Sequence, residues 1–71
     1  MSKADKMFEE LGYKKKEHHY KTIGTTYEYE NDDGRCIDFI CEDEEIRIWN
    51  LRIDMQELQA INEKCKELGW L

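Results

Sequence analysis

Two amphipathic runs in this chain close with the same stop. Residues 7–13 read Met-Phe-Glu-Glu-Leu-Gly-Tyr, and residues 64–70 read Lys-Cys-Lys-Glu-Leu-Gly-Trp. Leucine, glycine and an aromatic in that order are how a helix ends. The glycine enters the left-handed region just past the cap, where a Cβ costs energy, and the next residue folds back on the last turn. The expected contacts are Tyr13 on Phe8 and Trp70 on Cys65. The two stops frame the chain as helix, β-rich middle, helix. They constrain architecture and leave the chemistry open.

A chain of 71 residues has room for one domain, residues 1–71. At this size only about 60% of the unfolded surface is buried on folding, so the margin of stability is thin. Charged residues make up 39% of the chain and proline is absent. High charge favours disorder, whereas unbroken periodicity favours folding. The aromatics decide in favour of a fold, because two Trp, four Tyr and two Phe recur at ordered spacings.

The first helix is expected over residues 2–11. Ser2 is the N-cap, and Asp5 sits three residues on, at capping-box spacing. Ala4, Met7, Phe8 and Leu11 make one apolar stripe. The period then changes to two. Thr25, Tyr27 and Tyr29 alternate with Thr26, Glu28 and Glu30, a half-buried strand. Asn31-Asp32-Asp33-Gly34 is turn chemistry. Ile37, Phe39 and Cys41 alternate with Cys36, Asp38 and Ile40. After the acidic turn at residues 42–45, Ile46 and Ile48 alternate with Arg47 and Trp49. Residues 13–20 are compatible with an extra lysine-rich edge strand.

The last helix starts at an Asp54 N-cap with Glu57 at N3, and Ile53 is placed to pack on Leu58, so capping box and hydrophobic staple coincide. Met55, Leu58, Ile61, Cys65 and Leu68 form its expected buried stripe. The fold class is therefore α+β: helix, antiparallel meander of three to four strands, C-terminal helix, with both helices on one face of the sheet. That face takes Tyr27, Tyr29, Ile37, Phe39, Cys41, Ile46 and Ile48. The other shows Glu28, Glu30, Cys36, Asp38, Ile40, Arg47 and Trp49.

Composition also narrows function. A net charge of −6 argues against broad nucleic-acid binding, which needs cations to displace condensed counterions. No apolar run approaches the roughly 20 residues of a membrane span, and the N-terminus lacks the apolar core of a secretory signal. Three cysteines at no regular spacing fit a reducing cytoplasm better than a disulfide framework.

A metal centre is not expected. Cys36 and Cys41 are five apart on one strand, so their Cα atoms lie roughly 16 Å apart on opposite faces, too far to share a zinc. Placing Gly34 sixth in a calcium loop puts Tyr29 first and Ile40 last, where carboxylates are required. No catalytic residues, cofactor or enzymatic activity are expected either. Cys36 is a candidate nucleophile and His18 and His19 candidate bases, but no glycine elbow or orienting third residue accompanies them.

Residues 7–15, the Ile-Asp-Phe at residues 37–39 and the whole of residues 53–70 resemble small uncharacterised proteins encoded by phages and prophages of low-GC Gram-positive bacteria. That resemblance implies a cytoplasmic accessory protein of a mobile element and supplies no catalytic residues.

The one functional lean lies on the outer face. Ile40, Arg47 and Trp49 sit where neither helix reaches, and Trp and Arg are enriched at interface hot spots. A protein partner or self-association is the expected use, with Arg47 held by Glu28 or Asp38. The alternative is a weak single-stranded nucleic-acid binder using Lys14, Lys15, Lys16 and Lys21, with His18, His19 and Tyr20 between them.

Overall fold

A computed structural model describes residues 2–22 and 24–71. In chain order the elements are α1 (Lys3–Glu10), β1 (Lys14–Tyr20), β2 (Gly24–Glu30), β3 (Cys36–Ile40), β4 (Glu45–Ile48) and α2 (Met55–Glu67). The strands form one open antiparallel sheet in the order β1-β2-β3-β4. The lysine-rich segment is thus a full edge strand, and the sheet has four strands.

Both helices cover the same face. Phe8 of α1 stacks on Tyr29 with centroids 4.0 Å apart and meets Phe39 edge-on at 6.1 Å. Ala60, Ile61 and Cys65 of α2 close the same cluster with Tyr13 and Ile37. Cross-strand pairs Tyr27–Phe39, Tyr29–Ile37, Ile37–Ile48 and Phe39–Ile46 fix the register. Slipping any strand by one residue would turn this apolar set into water.

The helix stops are as the sequence predicts. Gly12 has φ +90° and Gly69 φ +79°. Tyr13 N–H bonds back to the Phe8 carbonyl at 2.9 Å, and Trp70 N–H to that of Cys65 at 2.8 Å. Tyr13 also meets the Phe8 ring edge-on at 5.6 Å. At the other ends, Ser2 Oγ accepts from Asp5 N–H at 3.1 Å, and Asp54 and Glu57 make a reciprocal capping box. In α1 the box is only half formed. The Asp5 carboxylate turns away to accept from Tyr29 Oη at 2.6 Å and Lys15 Nζ at 2.9 Å. Burial opposes ionisation of Asp5, but those bonds hold its carboxyl below the usual range.

The buried stripe of α2 differs from the expected one. Met55 is 65% and Leu58 49% exposed, whereas Glu57 and Lys64 are almost fully buried beside Ala60, Ile61 and Cys65. The helix is turned about 70° from the apolar phase, at 100° per residue. Ile53 packs on the core without taking Leu58 out of water.

The cause is polar. Glu57 Oε1 accepts from Arg35 at 2.7 Å and from Asp54 N–H at 3.1 Å, while Oε2 takes Tyr13 Oη and, at 3.2 Å, Asn50 Nδ2. Lys64 lays its ammonium 4.2 Å from the Tyr27 ring centroid and pairs with Glu67, with Asp5 at 3.9 Å. Buried charge is tolerated only when compensated in this way. Two other positions also depart from expectation. Ile48, at the end of edge strand β4, is 42% exposed, and Cys41 is only half-buried.

Candidate protein-contact face

The face away from the helices is assembled from alternate residues of all four strands. Lys14, Lys16, His18 and Tyr20 come from β1, and Thr26, Glu28 and Glu30 from β2. β3 supplies Cys36, Asp38 and Ile40, and β4 supplies Glu45 and Arg47 with Trp49 just beyond it. Strand pairing alone places them together, because every second side chain shares a face.

Trp49 is 60% exposed and faces Cys36 at the start of β3, whereas Ile40 is half-buried at the other end of that strand, opposite Glu45. The Trp49 Nε1–H donates to Asp38 Oδ2 at 3.2 Å. Arg47 stands opposite Asp38 in the ladder, yet neither Asp38 nor Glu28 holds it. Its guanidinium lies 5.9 Å from the Trp49 ring centroid, and no described carboxylate comes within ion-pair distance. The expected Arg47 pairing is not made, and its neighbours bond elsewhere: Asp38 to Trp49 and to the Cys36 thiol at 3.2 Å, Glu28 to His18 Nε2 at 2.8 Å. An exposed indole therefore sits under an unpaired cation.

Beside this pair runs an open groove of about 380 Å³ between Tyr20 and Arg47, floored by Thr26 and Ile40 and lined by Glu28, Asp38 and Asp43. Tyr20 stacks on His18 with centroids 6.0 Å apart. Sequence reasoning missed both as part of this face. The signal was present in the alternation of Lys14, Lys16, His18 and Tyr20, but it carries no apolar contrast.

Cys36 behaves differently from expectation. Although on the outer face, it is buried under its neighbours, with its N–H bonded to Asn50 Oδ1 at 2.9 Å. Burial, with Asp38 and Glu28 adding to it, pushes its thiol up to about 12. A thiol held protonated at neutral pH is a poor nucleophile. Glu28, Glu30 and Cys36 each bring one donor atom within 4.8 Å of the others, a grouping that spacing along a single strand does not reveal. Those donors are engaged: Lys16 lies 3.6 Å from Glu30, and His18 bonds Glu28.

The lysine stretch is likewise met by carboxylates. Lys15 reaches Asp5 at 2.9 Å and Glu17 at 3.3 Å on the helix side, while Lys16 faces Glu30 on the other. Lys14, Lys15 and Lys16 alternate between faces and form no continuous basic stripe. No helix among the described residues is long and apolar enough to cross a membrane. Comparison with protein families, curated proteins and solved structures finds no match for this chain.

Proposed function

We propose that this domain is a protein-interaction module whose outer sheet face seats a partner protein through Ile40, Arg47 and Trp49, as a cytoplasmic accessory protein of a phage or prophage. The observation that carries the contact is the exposed Trp49 indole stacked beneath an unpaired Arg47 on a face no helix covers. A large exposed aromatic gains by being buried, an unpaired guanidinium is open to a carboxylate of the partner, and such residues dominate interface energetics. The groove beside them adds a preference. Glu28 and Asp38 already accept from His18, Trp49 and Cys36, which leaves Asp43 to meet a Lys or Arg whose stem the partner lays across Ile40.

The experiment is affinity capture from cells carrying the gene, with three baits of equal folded content: wild type, Trp49→Ala and Leu51→Ala. Leu51 is fully exposed and lies outside the strands, so it controls for loss of surface hydrophobicity. A partner retained by wild type and Leu51→Ala but lost with Trp49→Ala is the expected result. Partners captured equally by all three would refute the outer-face reading. Titration with a single-stranded oligonucleotide tests the other class. Binding that weakens steeply with salt and disappears in Lys14→Glu/Lys16→Glu would favour nucleic acid instead.

A further inference from the structure

The two edges of the sheet differ in kind. β1 carries Lys14, Lys15 and Lys16, with Lys21 just beyond it, and lysines along an edge discourage pairing with another chain. β4 carries no lysine; it is four residues long, and its charged side chains, Glu45 and Arg47, are of opposite sign. Trp49 N–H donates to the Cys36 carbonyl at 2.9 Å, so in an antiparallel ladder the backbone groups of Glu45, Arg47 and Trp49 turn towards β3. Those of Ile46 and Ile48 point off the sheet, where no described strand receives them.

Exposed apolar side chains also occur on α2. Gln56 and Gln59 line a cleft against Met7 and Leu11 of α1, which places α1 on that side of the helix. Leu58 lies on the opposite flank of the helix, and it is exposed, as are Met55 and Ile48.

Charge identifies the occupant. β4 is entered from the acidic turn at residues 42–45 and left towards Arg47 and Arg52. Reversed and laid against itself, the strand brings its acidic end to its basic end. We propose that a second copy of this chain pairs with β4 in antiparallel fashion across a two-fold axis, with Ile46 opposite Ile46 of the partner subunit. In that register Glu45 faces the partner subunit's Arg47, and Arg47 faces the partner subunit's Glu45. Both pairs lie on the outer face, where Arg47 has no carboxylate of its own.

The outward N–H and C=O of Ile46 meet their own two-fold mates, as an antiparallel hydrogen-bonded pair requires. The next register instead sets Arg47 against the partner subunit's Arg47 in a close non-bonded pair, which like charge disfavours. A net charge of −6 per copy does not prevent association at physiological salt, because screening over about 8 Å leaves only facing charges to matter. The resulting dimer is isologous and extends the sheet across the axis.

Sedimentation equilibrium from about 1 μM to about 1 mM tests the pairing over the range of weak to moderate affinities. The wild-type average mass rises from one copy towards two. Glu45→Arg and Arg47→Glu each weaken association about tenfold or more, and the double variant Glu45→Arg/Arg47→Glu recovers it, since the charges are exchanged and remain complementary. Recovery in the double variant also shows that the chain carrying both changes still folds. A single-copy mass at every concentration overturns the proposal, as does a dimer indifferent to all three charge variants. A dimer lost in Trp49→Ala but kept in the charge variants moves the contact to the outer face and overturns it too. The edge pairing shares Arg47 with the proposed partner contact but not Trp49, so capture that fails only with Trp49→Ala tests that reading apart from the dimer.

Discussion

Trp49 and Asp38 are joined across the β3–β4 pair by the indole N–H, at 3.2 Å to Oδ2. That bond engages the carboxylate that stands opposite Arg47 in the ladder. Arg47 itself lies over the indole ring, free of any internal ion pair with a described residue. The bond orients a large exposed aromatic beside a cation that no described carboxylate pairs.

Trp49→Phe should accordingly leave the fold intact. Trp49 is mostly exposed and its bond is at the surface, so a stability change within about 0.5 kcal/mol is expected. The variant should also lose the fluorescence most accessible to iodide, leaving Trp70, which packs against the core. Equal quenching constants for wild type and variant would show that Trp49 is not the open indole.

Neighbouring positions on α2 separate the observed phase of the helix from its apolar phase. Glu57→Ala should cost about 3–5 kcal/mol, since it strands the buried partners of a charged network. Leu58→Ala should cost less than about 1 kcal/mol, because half of that side chain is already in water. Chemical denaturation of the two variants reads both values. The reverse order would restore the stripe of Met55 and Leu58.

Gly12→Ala and Gly69→Ala should each destabilise by about 1 kcal/mol. Beyond the glycine and its chain neighbours, no described atom lies within 4 Å of where either Cβ would stand, so the cost is the left-handed backbone and not a clash with the surrounding fold. Thermal unfolding should show the two losses to be similar in size. A stabilised variant at either site would contradict the left-handed geometry.

The stability profile should fall away on both sides of neutrality. Asp5 and Glu67 have carboxyls held below their ordinary values of 3.8 and 4.5, against the effect of burial, chiefly by Tyr29 and Lys15 for Asp5 and by Lys64 for Glu67. A depressed carboxyl stabilises the fold above its ordinary value, and that contribution is lost as pH drops through the folded one. Cys36 and Tyr13 are pushed up to about 12 by burial, aided by Asp38 and Glu57 respectively. A raised acid keeps its contribution below the ordinary value and loses it as pH climbs towards the folded one. Stability should therefore decline below about pH 4.5 and again above about pH 9, read by denaturation across the range. In Cys36→Ser the alkaline decline should begin later. A profile flat to pH 12 would remove the linkage.

The sequence by itself determined the parts that depend on near neighbours. Ser2, Asp54 and Glu57 cap their helices, Gly12 and Gly69 end them, and residues 31–34 turn the chain. These signals are local, because a cap or a turn is a contact between residues a few positions apart. The alternation of β2, β3 and β4 also specified which side chains share the outer face, including Ile40, Arg47 and Trp49. Tertiary structure decided the rest. β1 is a strand because β2 pairs with it, not because its own residues alternate between apolar and polar. The phase of α2 was illegible because Glu57 and Lys64 are buried by partners far away in the chain: Tyr13 and Arg35 for the first, Asp5 and Tyr27 for the second. Hydrophobic periodicity counts such residues as solvent-facing, since a charge is costly to bury until distant groups compensate it. The freedom of Arg47 arose in the same way. Its carboxylate neighbour is plain in the sequence, but only the folded sheet commits that carboxylate to Trp49 and Cys36.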